Sequence, residues 1–309
     1  MKRRIRSRDV PAIEDGLPEN LHPVVRRVLL ARDITVAADL DLGLRAMQPP
    51  GKLAGIEHAA TLIADAIQQD RSILIVGDFD ADGATGTALA VLALQAMGGR
   101  RVTFRVPNRF EFGYGLTTGL VGTLADSPPD LLVTVDSGIN CNAGVEAARQ
   151  LGSRVVVTDH HLPGEVMPPA DAIVNPNQPN DGFPSKALAG VGVMFDLLGV
   201  GRSLLRERGG FGPRRRAPQL AQFLDLVALG TVADLVPLDH NNRILVAQGL
   251  ERIRRGLARP GVMALLRRGK RDYRYAAASD LGFAVGPRLN AAGRLEDMAA
   301  GIRLSLIHI

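Results

Sequence analysis

Short apolar runs alternate with longer segments of helical periodicity between residues 55 and 174. The runs are rich in Val and Ile, and only Val102–Val106 contains a charged residue, Arg105. Such runs are typical of parallel strands covered on both faces. Strands that alternate with helices of this length indicate βαβ units. The predicted strands are Ile73–Val76, Val102–Val106, Leu131–Val135, Val155–Thr158 and Ala172–Val174, and the predicted helices are Gly55–Gln69, Ala84–Met97, Leu116–Ala125 and Ala143–Leu151.

This pattern divides the chain into three regions. Residues 1–50 carry scattered Pro and polar breaks around one helix candidate, Val24–Ala31, and are interpreted as an N-terminal extension. Residues 51–240 are predicted to form an α/β domain, a mainly parallel sheet flanked by helices. Residues 241–309 are predicted to be a helical, Arg-rich connecting region. It contains helices at Asn242–Arg255 and Gly261–Arg268, and we expect the chain to be truncated within it.

Two segments precede the connecting region. Arg202–Arg216 is rich in Arg and punctuated by Gly and Pro, which predicts a loop or insertion beside a helix. Helical periodicity resumes over Gln219–Leu229, and a turn is predicted at Gly230–Asp234.

Composition narrows the class of protein. With 309 residues, 46% hydrophobic and 22% charged, the chain is long enough for one large or two ordinary globular domains. No apolar run reaches the roughly 18 residues that span a bilayer, and the N-terminus lacks the apolar stretch of a signal peptide, so we expect a cytoplasmic protein without a membrane partner. We also expect a monomer. The single cysteine, Cys141, excludes an internal disulfide and argues against a structural zinc site.

Basic residues exceed acidic residues by only 37 to 32, but the surplus is concentrated. The segment Arg252–Arg274 holds nine basic residues and one Asp. Guanidinium binds phosphate through two parallel hydrogen bonds, so this segment predicts phosphate contacts. The alternative is that these basic residues form a helix face exposed to solvent and bind no phosphate.

Three carboxylates follow the first predicted strand. Asp78, Asp80 and Asp82 are spaced by two residues, which in an extended segment points them the same way. Their mutual repulsion would be relieved by a divalent cation, and in open α/β sheets ligands bind beyond the carboxyl ends of the strands. In the alternative, one Asp caps the helix predicted from Ala84 and the others face solvent.

Further candidate ligands follow the next strands. Asp136 follows Leu131–Val135 and is placed to bridge two ions, although an Asp before Ser-Gly is also typical of a turn. His160 and His161 follow Asp159 at the end of another strand. Adjacent imidazoles diverge, so one can bind metal while the other donates to a phosphate. An exposed pair without a role is the alternative.

Two other signals bear on the chemistry. Asp234 follows a predicted helix and by itself is typical of a turn. The segment Gly83–Thr87 contains no Lys, which argues against a phosphate-binding P-loop.

Four segments together resemble the motifs of the DHH phosphoesterase superfamily in their order and spacing. They are Gly77–Thr85, Val135–Ile139, Thr158–His161 and Gly230–Leu238. Two more, Pro107–Leu116 and Gly286–Leu295, are similar to single-strand-specific 5′→3′ exonucleases of that superfamily. The resemblance extends over about residues 45–303. It implies a DHH phosphoesterase domain at residues 51–240, with truncation before DHHA1-type and oligonucleotide-binding domains.

The resemblance implies a two-metal phosphodiesterase that uses two Mn²⁺ ions, with Mg²⁺ as the alternative. Its implied metal ligands are Asp78, Asp80, Asp82, Asp136, His160 and Asp234, with Asp136 as the bridge. Asp159 would orient its neighbours and His161 would contact phosphate, so the implied catalytic set is Asp80, Asp82, Asp136, Asp159, His160, His161 and Asp234. The implied substrate-binding set is His161, Arg109, Tyr114, Arg288, Asn290 and Arg294, with Tyr114 or Phe112 as a stacking face for a base.

The function implied is hydrolysis of single-stranded DNA in repair and recombination, with helicases and single-strand-binding proteins as further partners. One alternative is a DHH phosphodiesterase that degrades short RNA, cyclic dinucleotides or pyrophosphate, which the Arg-rich stretch disfavours. Another is an Asp-x-Asp phosphatase built on Asp78 and Asp80, for which only Lys52, Lys186 or Lys270 is placed to supply the required Lys. A third is a non-catalytic replication scaffold, which the intact acidic positions disfavour.

Overall fold

The computed structural model describes residues 10, 16–108, 111–213, 215–295, 298–299 and 302–303. At its centre is a five-stranded sheet in the order β2-β1-β3-β4-β5, and every neighbouring pair is parallel. The strands are β1 (Ile73–Gly77), β2 (Val102–Arg105), β3 (Leu131–Val135), β4 (Arg154–Thr158) and β5 (Ala172–Val174). The predicted α/β class is confirmed, and each of the five predicted strands is present with ends within one residue.

Helices surround the sheet. In chain order they are α1 (Pro23–Leu30), α2 (Ile56–Gln68), α3 (Ala81–Met97), α4 (Thr118–Gly122), α5 (Asn142–Gln150), α6 (Gly190–Glu207), α7 (Leu224–Ala233), α8 (His240–Arg254), α9 (Pro260–Arg268), α10 (Ala278–Asp280) and α11 (Gly286–Leu295). Short 3₁₀ turns lie at Ala37–Leu40, Leu44–Ala46, Pro50–Lys52, Leu220–Phe223 and Tyr273–Tyr275, and a π-helical turn, Leu281–Val285, precedes α11. None of the described helices combines the length and apolar character needed to span a bilayer.

The alternation of side chains along each strand separates two apolar layers. Ile73 and Ile75 of β1 belong to the larger core, which includes residues of α2, α3, α6 and α7, whereas Leu74 and Val76 belong to a smaller core with α4 and α5. Because α3 packs between the sheet and α7, its residues are buried almost all round. The N-terminus of α3 is thereby fixed at the carboxyl end of β1.

The terminal regions pack differently from each other. In the predicted N-terminal extension, Leu17, Leu30 and Ile34 form a small cluster of their own. In the predicted connecting region, Ile253 and Leu266 belong to the larger core. The helices after residue 240 therefore cover the same core as the sheet.

Two predicted helices and one predicted turn differ from the structure in their bounds. The helix predicted from Ala84 begins at Ala81, because Asp80 caps it with a hydrogen bond from Gly83 N to Asp80 Oδ1 (2.9 Å). The helix predicted over 116–125 covers only Thr118–Gly122, since the Thr117 side chain caps its first turn. The turn predicted at 230–234 is instead the last turn of α7, which continues because Gly230 packs closely against α3.

The loop predicted at Arg202–Arg216 was also wrong in part. Helix α6 continues through this segment to Glu207, and its Gly201 and Leu205 are buried. Buried packing of the helix therefore outweighs the local Arg-rich composition.

The basic segment Arg252–Arg274 is partly used for internal contacts. Four of its nine basic residues pair with carboxylates, in the pairs Arg255–Glu251, Arg259–Asp225, Arg271–Asp280 and Arg274–Asp272. Arg259 is only 7% exposed, and its backbone N–H also donates to Asp225. Part of the segment therefore joins helices, and the phosphate contacts predicted for it rest on the remaining basic residues.

A buried acid away from the strand ends gives a prediction for stability. Asp196 on α6 is 5% exposed, and its Oδ2 has no hydrogen-bond partner among the described residues. Burial raises the pKa of Asp196 from 3.8 to about 8. The folded protein thus keeps a proton that the unfolded chain loses, so the free energy of unfolding falls as the pH rises from about 4 to about 8.

We expect Asp196→Leu to remove this penalty. The advantage of the variant in free energy of unfolding should grow by up to about 1.4 kcal/mol per pH unit across that window. Denaturant unfolding at pH 5 and pH 8 measures it, with Glu165→Gln as the exposed-acid control. An advantage that does not change with pH would contradict the assigned pKa.

Candidate metal centre

Three acidic residues lie side by side at the carboxyl edge of the sheet. The backbone N–H of Asp78 donates to Val135 O (3.1 Å), that of Asp136 to Thr158 O (3.0 Å) and that of Asp159 to Val174 O (3.1 Å). Each acid therefore continues the parallel hydrogen-bond ladder by one residue beyond its strand. This register brings together side chains that are far apart in the sequence.

Asp136 occupies the centre of this edge in an uncommon backbone conformation. Its φ is 61°, in the left-handed region that Asp tolerates better than most residues. The side chain is 1% exposed and lies against Gly190 at the start of α6. A Cβ at position 190 would lie 2.6 Å from Asp136 Oδ1, so only Gly fits there.

The start of α3 supplies two more carboxylates. Asp80 is its N-cap residue, and Asp82 lies in the first helical turn. The extended geometry expected for this segment is therefore wrong, because the Asp80 cap starts the helix earlier. Asp82 still faces the site, since its two carboxylate oxygens accept from Gly190 N (2.7 Å) and Val191 N (3.1 Å).

Asp159 holds the two histidines in place. Its Oδ1 accepts from His160 N (2.7 Å) and His161 N (3.1 Å) and contacts His161 Nδ1 (2.7 Å). Its Oδ2 accepts from Ile139 N (2.9 Å). Asp159 thus fixes the backbone of both histidines and the ring of His161.

His160 faces two acids. Its Nε2 lies 3.1 Å from Asp136 Oδ1 and 3.5 Å from Asp234 Oδ2, where Asp234 is the C-cap of α7. These three atoms are buried, and none of them has a hydrogen-bond partner among the described residues. Uncompensated burial of polar atoms is costly, so a shared ligand at this point would stabilise them.

Burial and repulsion between neighbouring carboxylates strongly shift the pKa values of the acids in this site. Burial, with the neighbouring Asp80 carboxylate, raises the pKa of Asp78 to about 7. Burial together with nearby carboxylates also raises the pKa of Asp82 and of Asp136 well above the usual range. Burial lowers the pKa of His160 although Asp234 opposes this shift. Cation binding would displace protons from such a cluster.

The pKa values of Asp159 and His161 shift in the opposite directions, down for the acid and up for the histidine. Burial raises the pKa of Asp159, but the hydrogen bonds from His161 and Ile139 and the charge of His161 together outweigh this effect, and the net pKa is lowered. The hydrogen bond to Asp159 raises the pKa of His161 to about 9. His161 is therefore an imidazolium cation at neutral pH, with 44% of its side chain exposed at the rim of the site.

The donor set fits divalent cations. Three sets of side chains each bring one ligand atom per residue within 4.8 Å of one another, and they are Asp78–Asp80–Asp136, Asp82–His160–Asp234 and Asp136–His160–His161. The structure thus brings together all six residues implied as metal ligands. Asp136 and His160 each belong to two of the three sets, and of these two side chains only the carboxylate has two oxygens with which to bridge ions. Carboxylates with one or two imidazoles suit Mn²⁺ or Mg²⁺.

The residues implied to bind substrate differ in their exposure and in their contacts with the metal-site residues. Tyr114 is 48% exposed and meets Phe79 (5.9 Å) and His161 (6.3 Å) edge-on, with distances between ring centroids. Phe112 packs against the smaller core. Arg288 is exposed on α11, and its guanidinium donates to Ala284 O. Arg109 and the side chain of Arg294 lie outside the described residues.

Asn290, also implied as a substrate contact, faces the acidic segment. Its Oδ1 accepts a hydrogen bond from the backbone N–H of Ala81 at 2.6 Å. Ala81 lies between Asp80 and Asp82 in the sequence. Sequence reasoning missed this contact because the two residues are 209 positions apart.

Other supporting residues were missed altogether. Asn175 and Asn177 donate to the backbone oxygens of His161 (2.9 Å) and His160 (2.6 Å). Gly190 and Gly230 leave room for Asp136 and Asp82 respectively, because a Cβ would lie 2.6 Å from a carboxylate oxygen in each case. The small-residue segment that begins α6 was the signal available for Gly190, but its acidic neighbours come from distant parts of the chain.

Comparison with known proteins gives one family and several close relatives. Residues 72–231 match the DHH family, N-terminal domain. The chain is 55% identical over 297 residues to the single-stranded-DNA-specific exonuclease RecJ of Dickeya dadantii, covering 96% of this chain and 52% of that protein. It is 52% identical over 304 residues to RecJ of Escherichia coli, covering 98% and 52%. The chain therefore spans about half the length of the curated relatives it matches.

A solved structure is similar over most of the chain. The crystal structure of RecJ in complex with Mn²⁺ from Thermus thermophilus is 33% identical, with a TM-score of 0.72, and the match covers 91% of this chain and 38% of that chain. The similarity extends beyond the matched DHH region.

Proposed function

Because the chain belongs to the DHH family, we propose that it carries the hydrolytic site of a metal-dependent exonuclease that degrades single-stranded DNA from the 5′ end. In this proposal the protein acts in the cytoplasm during DNA repair and recombination, with helicases and single-strand-binding proteins as further partners. The names of the relatives support the substrate, and the Mn²⁺ complex of a relative supports the cofactor.

One observation carries the proposal. Asp136 Oδ1, His160 Nε2 and Asp234 Oδ2 are buried, face one another and lack hydrogen-bond partners among the described residues. A buried set of this kind is what a cation-binding centre requires and what a purely structural network avoids. This favours an enzyme over the non-catalytic scaffold considered from the sequence.

The six proposed ligands would hold two divalent ions, with Asp136 shared between them. They are Asp78, Asp80, Asp82, Asp136, His160 and Asp234. When bound, a pair of such ions supplies Lewis-acid stabilisation for in-line displacement at phosphorus. Manganese is the proposed ion, with magnesium as the alternative.

The remaining residues of the site act on substrate and geometry. Asp159 keeps a proton on His161 Nδ1 and fixes the ring, so that the imidazolium can bind a phosphate oxygen from the rim. Tyr114 presents a half-exposed ring next to His161, which suits stacking of an unpaired base. An exposed aromatic ring beside a phosphate-binding cation favours single strands over duplex, whose bases are already stacked. In the same proposal Arg109, Arg288 and Arg294 contact the phosphate backbone.

The test is Mn²⁺-dependent digestion of matched 5′-labelled and 3′-labelled substrates by this chain at low salt. Single-stranded DNA, duplex DNA, RNA of the same sequence and a dinucleotide are compared. We expect Mn²⁺-dependent release of nucleotides from the 5′ end of single-stranded DNA, with binding that weakens steeply as salt is raised. Preferred cleavage of the dinucleotide would support the small-substrate alternative, and hydrolysis that persists in a metal chelator would overturn the proposal.

A further inference from the structure

We propose that Asn290 is a positioning residue, which keeps the carboxylates at the start of α3 free for cations by accepting the Ala81 N–H. The inference rests on the proposed function, and it differs from the substrate contact implied for Asn290 by the family resemblance. It assigns the role of Asn290 to its side-chain oxygen.

The first turn of α3 leaves specific donors to satisfy. The first backbone N–H groups of a helix have no partner within the helix. Asp80 Oδ1 accepts from Gly83 N at 2.9 Å, and Asn290 Oδ1 accepts from Ala81 N at 2.6 Å. Ala81 is 1% exposed, so solvent cannot easily replace the Asn290 oxygen.

The donor that Asn290 satisfies has carboxylates on both sides of it in the sequence. Ala81 lies between Asp80 and Asp82 in the sequence, and Asp78 is three residues before it. A buried N–H without a partner is costly, so in the absence of Asn290 it would draw in a nearby carboxylate oxygen. Asp80 Oδ1 and both oxygens of Asp82 already accept one backbone N–H each. A further donor would take a second lone pair from one of these oxygens, and Asn290 prevents this by accepting the Ala81 N–H itself.

Helix α11 also packs against α7, the helix that ends at Asp234. A Cβ added to Gly286 would lie 3.0 Å from the Cβ of Ala233, the residue directly before Asp234, so the two helices pack closely there. Leu289 on α11 is buried, with 2% of its surface exposed. The π-helical turn Leu281–Val285 sets the entry into α11, and turns of this type are frequent at functional sites. Because α11 contacts both α7 and α3, it fixes the Asp234 end of the site relative to the Asp80 end.

Two substitutions separate positioning from substrate contact. Asn290→Asp keeps an acceptor for Ala81 N but replaces the amide donor by a negative charge that repels phosphate. Asn290→Ala removes the acceptor. A positioning residue is rescued by Asp, whereas a phosphate contact is damaged more by Asp than by Ala.

The experiment measures Mn²⁺ binding by isothermal titration calorimetry in wild type and both variants, without DNA. We expect Asn290→Ala to weaken Mn²⁺ binding by about tenfold, the order of effect of one buried unsatisfied donor, and Asn290→Asp to bind within about threefold of wild type. Gln150→Ala, which removes an exposed amide side chain from α5, serves as the matched control and should bind Mn²⁺ as wild type does.

A measurement without metal is also needed, because the carboxylate introduced by Asn290→Asp could itself bind Mn²⁺. Amide hydrogen exchange of Ala81, followed by NMR, should be slow in wild type and Asn290→Asp and much faster in Asn290→Ala. Equal Mn²⁺ affinity of wild type and Asn290→Ala, or equally fast exchange of Ala81 in both variants, would overturn the positioning role. Failure of wild type to bind Mn²⁺ at all would instead overturn the proposed function.

Discussion

Replacing Asp136 by Asn is expected to reduce hydrolysis of single-stranded DNA at least about a thousandfold. Asp136 is the proposed bridging carboxylate and belongs to two of the three sets of converging ligand atoms, so we expect its loss to weaken the binding of both proposed ions. Metal catalysis contributes several kcal/mol, and each 1.4 kcal/mol is a factor of ten in rate. Asn tolerates the left-handed φ of 61° at this position, which separates the loss of charge from a loss of folding.

Although it is expected to abolish most of the activity, Asp136→Asn should stabilise the metal-free protein. Burial and the nearby Asp82 carboxylate raise the pKa of Asp136, so the wild-type fold carries an electrostatic penalty without a cation. We expect metal-free Asp136→Asn to melt at a higher temperature than wild type and to gain little from added Mn²⁺. Thermal unfolding with and without Mn²⁺ measures both effects.

The control for Asp136→Asn is Asp126→Asn, which removes an exposed carboxylate from the connection leading into β3. It should leave both the rate and the Mn²⁺-induced stabilisation unchanged. Near-normal turnover of Asp136→Asn, or wild-type stabilisation of that variant by Mn²⁺, is incompatible with a bridging ligand.

His161→Ala is expected to lower kcat by about 10²–10³-fold, the usual cost of removing one donor to a developing oxyanion. The stoichiometry of bound Mn²⁺ should remain at two, because His161 is proposed to contact phosphate. Its pKa of about 9 makes it a cation at neutral pH, so its contribution should be present below that pH and lost as the pH rises through it. The pH profile of kcat should therefore lose this alkaline limb in the variant.

His161→Gln provides the comparison, since it keeps a hydrogen-bond donor without the charge. Its rate should fall between those of wild type and His161→Ala at pH 7. Loss of one Mn²⁺ ion from His161→Ala would make His161 a metal ligand, in keeping with its place in the Asp136–His160–His161 set.

The strand ends were predictable because the relevant physics is local. Uniformly apolar runs predict parallel strands, and parallel strands end at one edge, so Asp78, Asp136 and His160 could be expected to meet. Asp82 was expected at the same place for a wrong reason. Its position depends on the Asp80 cap and on the N–H groups of α6 rather than on an extended segment.

The supporting shell could not be predicted in this way. Gly190 faces Asp136 across 54 residues, and Asn290 reaches Ala81 across 209 residues. A Gly that begins a helix or an Asn within one carries no local signal of such a contact. These residues become informative only when the packing of α6, α7 and α11 around α3 is known.

This edge of the sheet is proposed to hold two divalent ions. Anomalous X-ray scattering at the manganese edge, from crystals grown with Mn²⁺, locates such ions independently of any assay. We expect two peaks roughly 3.5–4 Å apart, with the Asp136 carboxylate contacting both and His160 and Asp234 sharing one. A single peak, or two peaks with Asp136 contacting neither, would contradict the proposal.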